Sequence, residues 1–291
     1  MALMEVKNLT IRFGGITAID DLSFDVEKGS ITALIGPNGA GKTSAFNCLT
    51  GFYKAQSGSI LYNGLNLMGL KPYQITYKGI IRTFQNVRLF KNMTVLENVM
   101  SGAHRTGRQF VFGALFRTRA QGKEEREIHE NAERCLDFIG ILDKKDKIAK
   151  NLSYGDQRRT EWARALAAKP DLLLLDEPAA GLNREEKDSL IKLIRRFNEE
   201  LGITVFLIEH DISLVMDVSE KVVVINFGKK IAQGSPAEVQ ANPWVIEAYL
   251  GSDEDAENSK PIDTQADKHT NNTDNQIAEN QRPLGIQAVK S

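Results

Sequence analysis

The run ITALIGPNGAGKTS, residues 31–44, constrains this chain more than any other stretch. Ile31 to Ile35 is almost continuously apolar, as a strand buried on both faces of a parallel sheet must be. Gly36 to Thr43 then satisfies G-x-x-x-x-G-K-[ST], and a helical stretch opens at Ser44. Strand, glycine turn and helix in that order make an anion cradle. Gly36, Gly39 and Gly41, with Asn38 and Ala40 between them, let backbone N–H groups turn inward and wrap a phosphate where side chains would block the approach. Lys42 supplies a point charge for the outer phosphates, Thr43 a hydroxyl for Mg²⁺, and the helix start at Ser44 its positive end.

Three more apolar runs read as strands of the same sheet: Leu172–Leu175, Thr204–Ile208 and Val222–Ile225. Helical stretches separate them, so the fold class is α/β. The N-terminal EVKNLTIRF, GITAIDDLSFDVEKG and GSILYNG instead alternate, with turn signals at Gly14-Gly15, Lys28-Gly29 and Asn63-Gly64 that suit hairpins of an antiparallel β subdomain. From about residue 86 to 168 the texture is helical. There Ile128, Ala132, Cys135 and Ile139 share one face, predicting an inserted α-helical subdomain.

The residues ending these strands carry the chemistry. Asp176 and Glu177 close the second apolar run, where a carboxylate is costly unless it meets a cation or donors. Asp176 is therefore placed to hold Mg²⁺ through water, and Glu177 to polarise an attacking water. His210 ends the third run. Ligands of open α/β sheets gather at the carboxyl ends of strands, so His210 becomes a γ-phosphate contact. By spacing alone, Gln85 in TFQNVRLF is a surface residue.

Phosphate loop, LSYGDQ, LLLLDEP and EHD, in this order, resemble the ATPase subunit of ABC transporters. The resemblance spans residues 4–250 and implies a P-loop NTPase core that binds ATP and Mg²⁺ and hydrolyses ATP. It implies further that Phe13 stacks on adenine, that Gln85 touches Mg²⁺ and senses the membrane partner, and that Glu177 and His210 are the catalytic glutamate and switch histidine. Ser153 and Gly155 match signature residues that contact the γ-phosphate held by a second ATPase subunit. The resemblance thus implies a head-to-tail homo- or heterodimer on membrane permease subunits at the cytoplasmic face of the inner membrane, with a periplasmic binding protein as an indirect partner.

Two motifs depart from the family pattern. Tyr154 and Asp156 stand where Leu-Ser-Gly-Gly-Gln has Gly and Gln, and Asn183 stands where Asp is usual. In local terms, Ser153 is an N-cap with Asp156 three residues on, which predicts a reciprocal capping box and a nearly silent Asp156→Gln change. Gly155 would keep the approach to a neighbour's phosphate clear, with Tyr154 pointing away. LSYGDQRR, DEPAAGLN, IEHDISLVMDVS and NPWVIEAYLG narrow the resemblance to the LivG-type ATPase of branched-chain amino acid importers. The competing readings are the ATPase of lipopolysaccharide export, which normally keeps glycine at the Tyr154 position, and a nucleotide-gated interaction module with weak hydrolysis.

Composition adds exclusions. The net charge of −1 carries no signature of a nucleic-acid partner. No run approaches the roughly 18 apolar residues of a membrane span, so any membrane connection runs through a partner. Cys48 and Cys135 stand in no metal-ligand spacing and read as free thiols. Residues 1–250 form the expected nucleotide-binding domain. Residues 251–291 carry eight acidic and four basic residues and no aromatics, and read as a disordered tail. His104–Arg119 interleaves aromatics with arginines, which suits either a self-packed loop or a surface facing the membrane subunit or lipid.

Overall fold

The computed structural model describes residues 1–103 and 119–249. The acidic tail and nearly all of the His104–Arg119 segment lie outside the described residues.

Two sheets organise the chain. Strands β1 (Ala2–Phe13), β2 (Ile16–Glu27), β4 (Ser57–Tyr62) and β5 (Leu65–Asn66) form an antiparallel sheet in the order β2-β1-β4-β5. Strands β3 (Ile31–Ile35), β6 (Ile80–Arg82), β7 (Leu172–Asp176), β8 (Thr204–Ile208), β9 (Lys221–Asn226) and β10 (Lys229–Gly234) form the second, ordered β10-β9-β3-β8-β7-β6. Its neighbours pair in parallel except β10, which runs antiparallel to β9.

The turn signals divide. Gly14-Gly15 links β1 to β2, and Asn63-Gly64, both at positive φ, links β4 to β5, as two-residue hairpins favour. Lys28-Gly29 makes no hairpin: it hands the chain from β2 to β3 in the other sheet, with the Gly29 N–H donating to Thr204 Oγ1 at 2.9 Å. Local turn chemistry cannot distinguish those outcomes. The short edge strand β6 and the reversed β10 also escape periodicity.

Every residue of β3, β7 and β8 is buried because the large sheet is covered on both faces. Leu173, Leu175, Val205 and Leu207 enter a core with the helices, while Leu172, Leu174, Phe206 and Ile208 face the antiparallel sheet. Period-two alternation is present but invisible in hydropathy, since both directions are apolar.

The helices are α1 (Lys42–Leu49), α2 (Pro72–Tyr77), α3 (Val95–Ala103), α4 (Arg119–Ile139), α5 (Tyr154–Ala167), α6 (Arg184–Glu199), α7 (Ile212–Val218) and α8 (Pro236–Gln240), with a last helical stretch at 243–249. Helices α3, α4 and α5 pack on one another in the expected helical region. Gly102 lies so close to α5 that a Cβ would strike the Arg164 carbonyl. On α4, Ala132 and Ile139 of the predicted face are buried and Ile128 and Cys135 are partly buried against the same core, which Leu136 joins as well. Cys48 and Cys135 are free, and burial pushes each thiol up to about 11. No helix among the described residues is long and apolar enough to cross a membrane.

Candidate functional site

Sheet register assembles the first group of residues. Leu34 of β3 and Asp176 of β7 both pair with Ile208 of β8, so three adjacent strands end level. The chain leaving those ends carries Gly36, Glu177 and His210.

The loop glycines have reasons of two kinds. At Gly36 (φ +154°) a Cβ would strike the Ile225 carbonyl, and at Gly41 (φ +104°) the Ala18 carbonyl. Both are excluded by the protein's own backbone, on β9 and β2. Gly39 (φ +80°) faces open space and needs glycine for its backbone conformation alone. Lys42 is buried, and its ammonium donates to the carbonyl oxygens of Gly36 at 2.6 Å and Pro37 at 2.9 Å. Burial pulls its pKa down, and the Glu177 carboxylate opposes that shift.

Glu177 is the meeting point. Its Oε2 accepts from Gln85 Nε2 at 2.8 Å and lies 3.7 Å from His210 Nδ1. Gln85 is exposed, as spacing alone suggests, and this bond also brings it into the site. Glu177 itself has φ +45°, an uncommon conformation for a residue with a side chain. Its N–H extends the β7–β8 ladder to the Ile208 carbonyl at 2.9 Å.

Two neighbouring residues complete the arrangement. Glu209, fully buried, accepts from Ala179 N at 2.7 Å through Oε1 and from His210 N at 3.1 Å through Oε2. It thus ties the loop after Glu177 to the loop carrying His210. Burial pushes its carboxyl up, against those backbone donors. Arg82, at the end of β6, donates from Nη2 to Asp176 Oδ2 at 2.7 Å, and both side chains are nearly inaccessible. Its Nη1 donates to Asn47 Oδ1 and Thr50 Oγ1, and Phe84 lies against its guanidinium at 5.1 Å. A strand-ending carboxylate signals a need for a cation, but sequence does not say which. Here Arg82 takes one oxygen of Asp176.

The donor types suit a hard divalent ion: a hydroxyl at Thr43, an amide oxygen at Gln85 and the carboxylate of Asp176, with substrate phosphates and water to complete the shell. Among the described residues there is no cluster of three or more His, Cys, Asp or Glu that could hold a metal ion. Phe13, exposed at the end of β1, meets Tyr53 edge to face at 5.1 Å.

Comparison with known proteins decides the family. A model described as "ABC transporter" matches residues 19–180, and one described as "Branched-chain amino acid ATP-binding cassette transporter" matches 229–255. The chain is a member of the ABC transporter family. It is 47% identical over 249 residues to the high-affinity branched-chain amino acid transport ATP-binding protein BraF of Pseudomonas aeruginosa, covering 86% of this chain and 98% of that one. It is 45% identical, at the same coverage, to LivG of Escherichia coli. Among solved structures, the ADP conformation of MJ1267, an ATP-binding cassette of an ABC transporter, superposes with a TM-score of 0.75 at 32% identity, covering 86% and 99% of the two chains.

Within this ABC cassette, Ser153 and Gly155 do not join the strand-end group. They line a separate cavity of about 360 Å³ with Asp156, Arg159 and Glu186. Ser153 caps α5 as expected, its Oγ accepting from Asp156 N at 3.2 Å. The reciprocal half of the box does not form. Aspartate is a methylene shorter than glutamate, and the Asp156 carboxylate turns instead to Lys144 Nζ at 2.7 Å and the Ser153 hydroxyl at 2.9 Å. Burial would raise the Asp156 carboxyl, but these two donors outweigh it and hold it below its ordinary value. A complete box appears one helix later. Asn183 Oδ1 accepts from Glu186 N while Glu186 Oε2 accepts from Asn183 N, so this departure from Asp keeps a sound N-cap. The other Glu186 oxygen lies 3.1 Å from where a Gly155 Cβ would stand, so glycine there also makes room for its own chain.

A further cavity of about 800 Å³ flanks the phosphate loop, lined by Asn38, Gly39, Phe227, Trp244 and Glu247. Tyr249, from the same helical stretch, has its phenol pushed up to about 12 by burial, an effect the neighbouring Gly36 backbone opposes. The C-terminal segment thus reaches the phosphate loop, which no short motif announces.

Proposed function

We propose that this chain is the ATP-hydrolysing subunit of an ABC importer for branched-chain or related amino acids. The observation that carries the chemistry is the convergence of Lys42, Gln85, Glu177 and His210 where β3, β7 and β8 end level. The substrate class rests on the BraF and LivG relatives and on the family match at 229–255.

In this scheme the Gly36–Ser44 cradle, including Asn38 and Ala40, binds the phosphates of ATP, and Phe13 offers its exposed ring to the adenine. Thr43, Gln85 and Asp176 would hold Mg²⁺, which supplies charge neutralisation on the phosphates. Lys42 exchanges its loop carbonyls for phosphate oxygens. Glu177 orients a water and accepts its proton as the water oxygen bonds to the γ-phosphorus and the bond to ADP breaks. His210 donates to the γ-phosphate. Ser153 and Gly155 serve the γ-phosphate held by a second subunit, which completes each site from two chains. Closure favoured by ATP over ADP then moves permease subunits that the two cassettes grip at the membrane. Residues 1–250 act as this nucleotide-binding domain.

The test is uptake. Co-expressed with its permeases and binding protein in membrane vesicles, the chain should drive ATP-dependent accumulation of labelled leucine, isoleucine or valine. ATP hydrolysis without uptake of any of them, or co-purification with export permeases, would overturn the assignment.

A further inference from the structure

Tyr154 is the residue that the family pattern least explains, and the structure gives it unusual company. Its hydroxyl accepts from Arg158 Nη2 at 2.9 Å, one helical turn along α5. That same nitrogen donates to the Gln85 carbonyl at 2.8 Å, and Arg158 Nη1 donates to the Phe84 carbonyl at 2.8 Å. Arg158 is 1% exposed and also lies 3.6 Å from Glu161, itself buried. On its other side, the Tyr154 ring approaches Gly181 so closely that a Cβ there would stand 3.4 Å from ring carbon Cε1. Gly181, at φ +79°, sits in the loop that leaves Glu177. Tyr154 therefore touches, directly or through Arg158, both loops that meet at the Gln85–Glu177 hydrogen bond.

We infer that Tyr154 and Arg158 are positioning residues that brace the start of α5 to the Gln85 loop, so that nucleotide bound at this chain's phosphate loop is felt at Ser153 and Gly155. The inference rests on the nucleotide reading above.

Gln85 has two groups on its amide side chain. Its Nε2 donates to Glu177, as seen, and its oxygen would serve a metal ion at the phosphates, so nucleotide and metal can shift the residue. Its backbone carbonyl meanwhile stays fixed to a buried guanidinium whose planar fork grips two successive carbonyls and a phenol at once. A shift of the Gln85 backbone thus pulls on Arg158, and through it on the first turn of α5, one residue from each signature contact. A lysine carries three donors on a single nitrogen and lacks the planar fork that spaces Nη1 and Nη2 across these acceptors. A glycine at 154 would supply neither the hydroxyl nor the ring against Gly181.

Amide hydrogen exchange over residues 152–160 tests this. The full chain is measured with and without Mg²⁺ and a non-hydrolysable ATP analogue, dilute enough that sedimentation shows monomer, with the analogue's Kd determined in parallel. In the unaltered chain the analogue should change exchange in this segment threefold or more. Arg158→Gln should abolish that response and Tyr154→Phe should at least halve it, each with Kd within threefold of the unaltered chain. Tyr154→Phe removes only a hydroxyl, so it guards against a folding failure of the buried Arg158 variant. A full response in a folded Tyr154→Phe chain, or binding with no response in the unaltered chain, would overturn the brace and leave the nucleotide site standing. No binding at all would instead overturn the nucleotide reading.

Discussion

The strand-end group and the α5 start are built by different physics. At the strand ends, level termination of three paired strands sets the positions, and the functional groups hold one another: Gln85 on Glu177, His210 near the same oxygen, Lys42 on its own loop. At the start of α5, position comes from a helix cap and an ion pair, Ser153 and Asp156 with Lys144. Among the described residues, none of the phosphate loop lines that cavity. Under the proposed function the first group would be the reaction centre and the second the face that serves a neighbouring subunit. A site completed by two chains, as proposed, would account for that separation within one chain.

Substitutions can break this contrast, beginning with the largest effect. Lys42→Ala should weaken ATP binding to the isolated chain a hundredfold or more, about 2.7 kcal/mol, while Ser153→Ala should leave it within threefold. Equilibrium titration checks both, and equal losses would dissolve the distinction between the regions. Glu177→Gln should keep ATP binding but slow turnover a hundredfold or more, again about 2.7 kcal/mol of barrier. Near-normal hydrolysis would remove Glu177 from its role.

Glu209→Gln should lower kcat about tenfold, about 1.4 kcal/mol, with KM for ATP little changed. An amide presents one acceptor where the carboxylate offers two, so either Ala179 N or His210 N loses its partner. A change in KM alone would place Glu209 in the binding of ATP.

The cap region sharpens the contrast from its own side. Asp156→Ala should cost about 1 kcal/mol of stability in denaturant melts. Asp156→Gln, silent if the capping box were reciprocal, should cost part of that, because a neutral amide gives up the Lys144 ion pair. The Asp156 carboxyl is depressed in the folded chain, so its contribution is full above the ordinary carboxylate range and is lost as the pH falls through its folded pKa. Unaltered protein should therefore lose this increment in acid, whereas the Asp156→Ala variant should have none to lose. The smallest effect belongs to Asn183→Asp. Both residues cap helices well, so stability should change by less than about 0.5 kcal/mol.

By itself the sequence determined four strands of the large sheet (β3, β7, β8 and β9), the phosphate loop and the placing of Asp176, Glu177 and His210 at strand ends. Apolar runs of strand length and a glycine-rich turn are local signals with few physical alternatives. It also placed Ser153 at a helix start, since an N-cap acts within four residues. Only the tertiary structure decided that Gly36 and Gly41 answer to the Ile225 and Ala18 carbonyls, that Arg82 takes Asp176, and that Glu209 staples two loops. It alone showed that Gln85, exposed as its spacing suggests, pairs with Glu177 and that Asp156 chooses Lys144 over the backbone. Each of those outcomes pairs groups far apart in the chain. Periodicity and motif spacing record what lies on one element, and they hold no information about which distant backbone or charge the fold will bring against it.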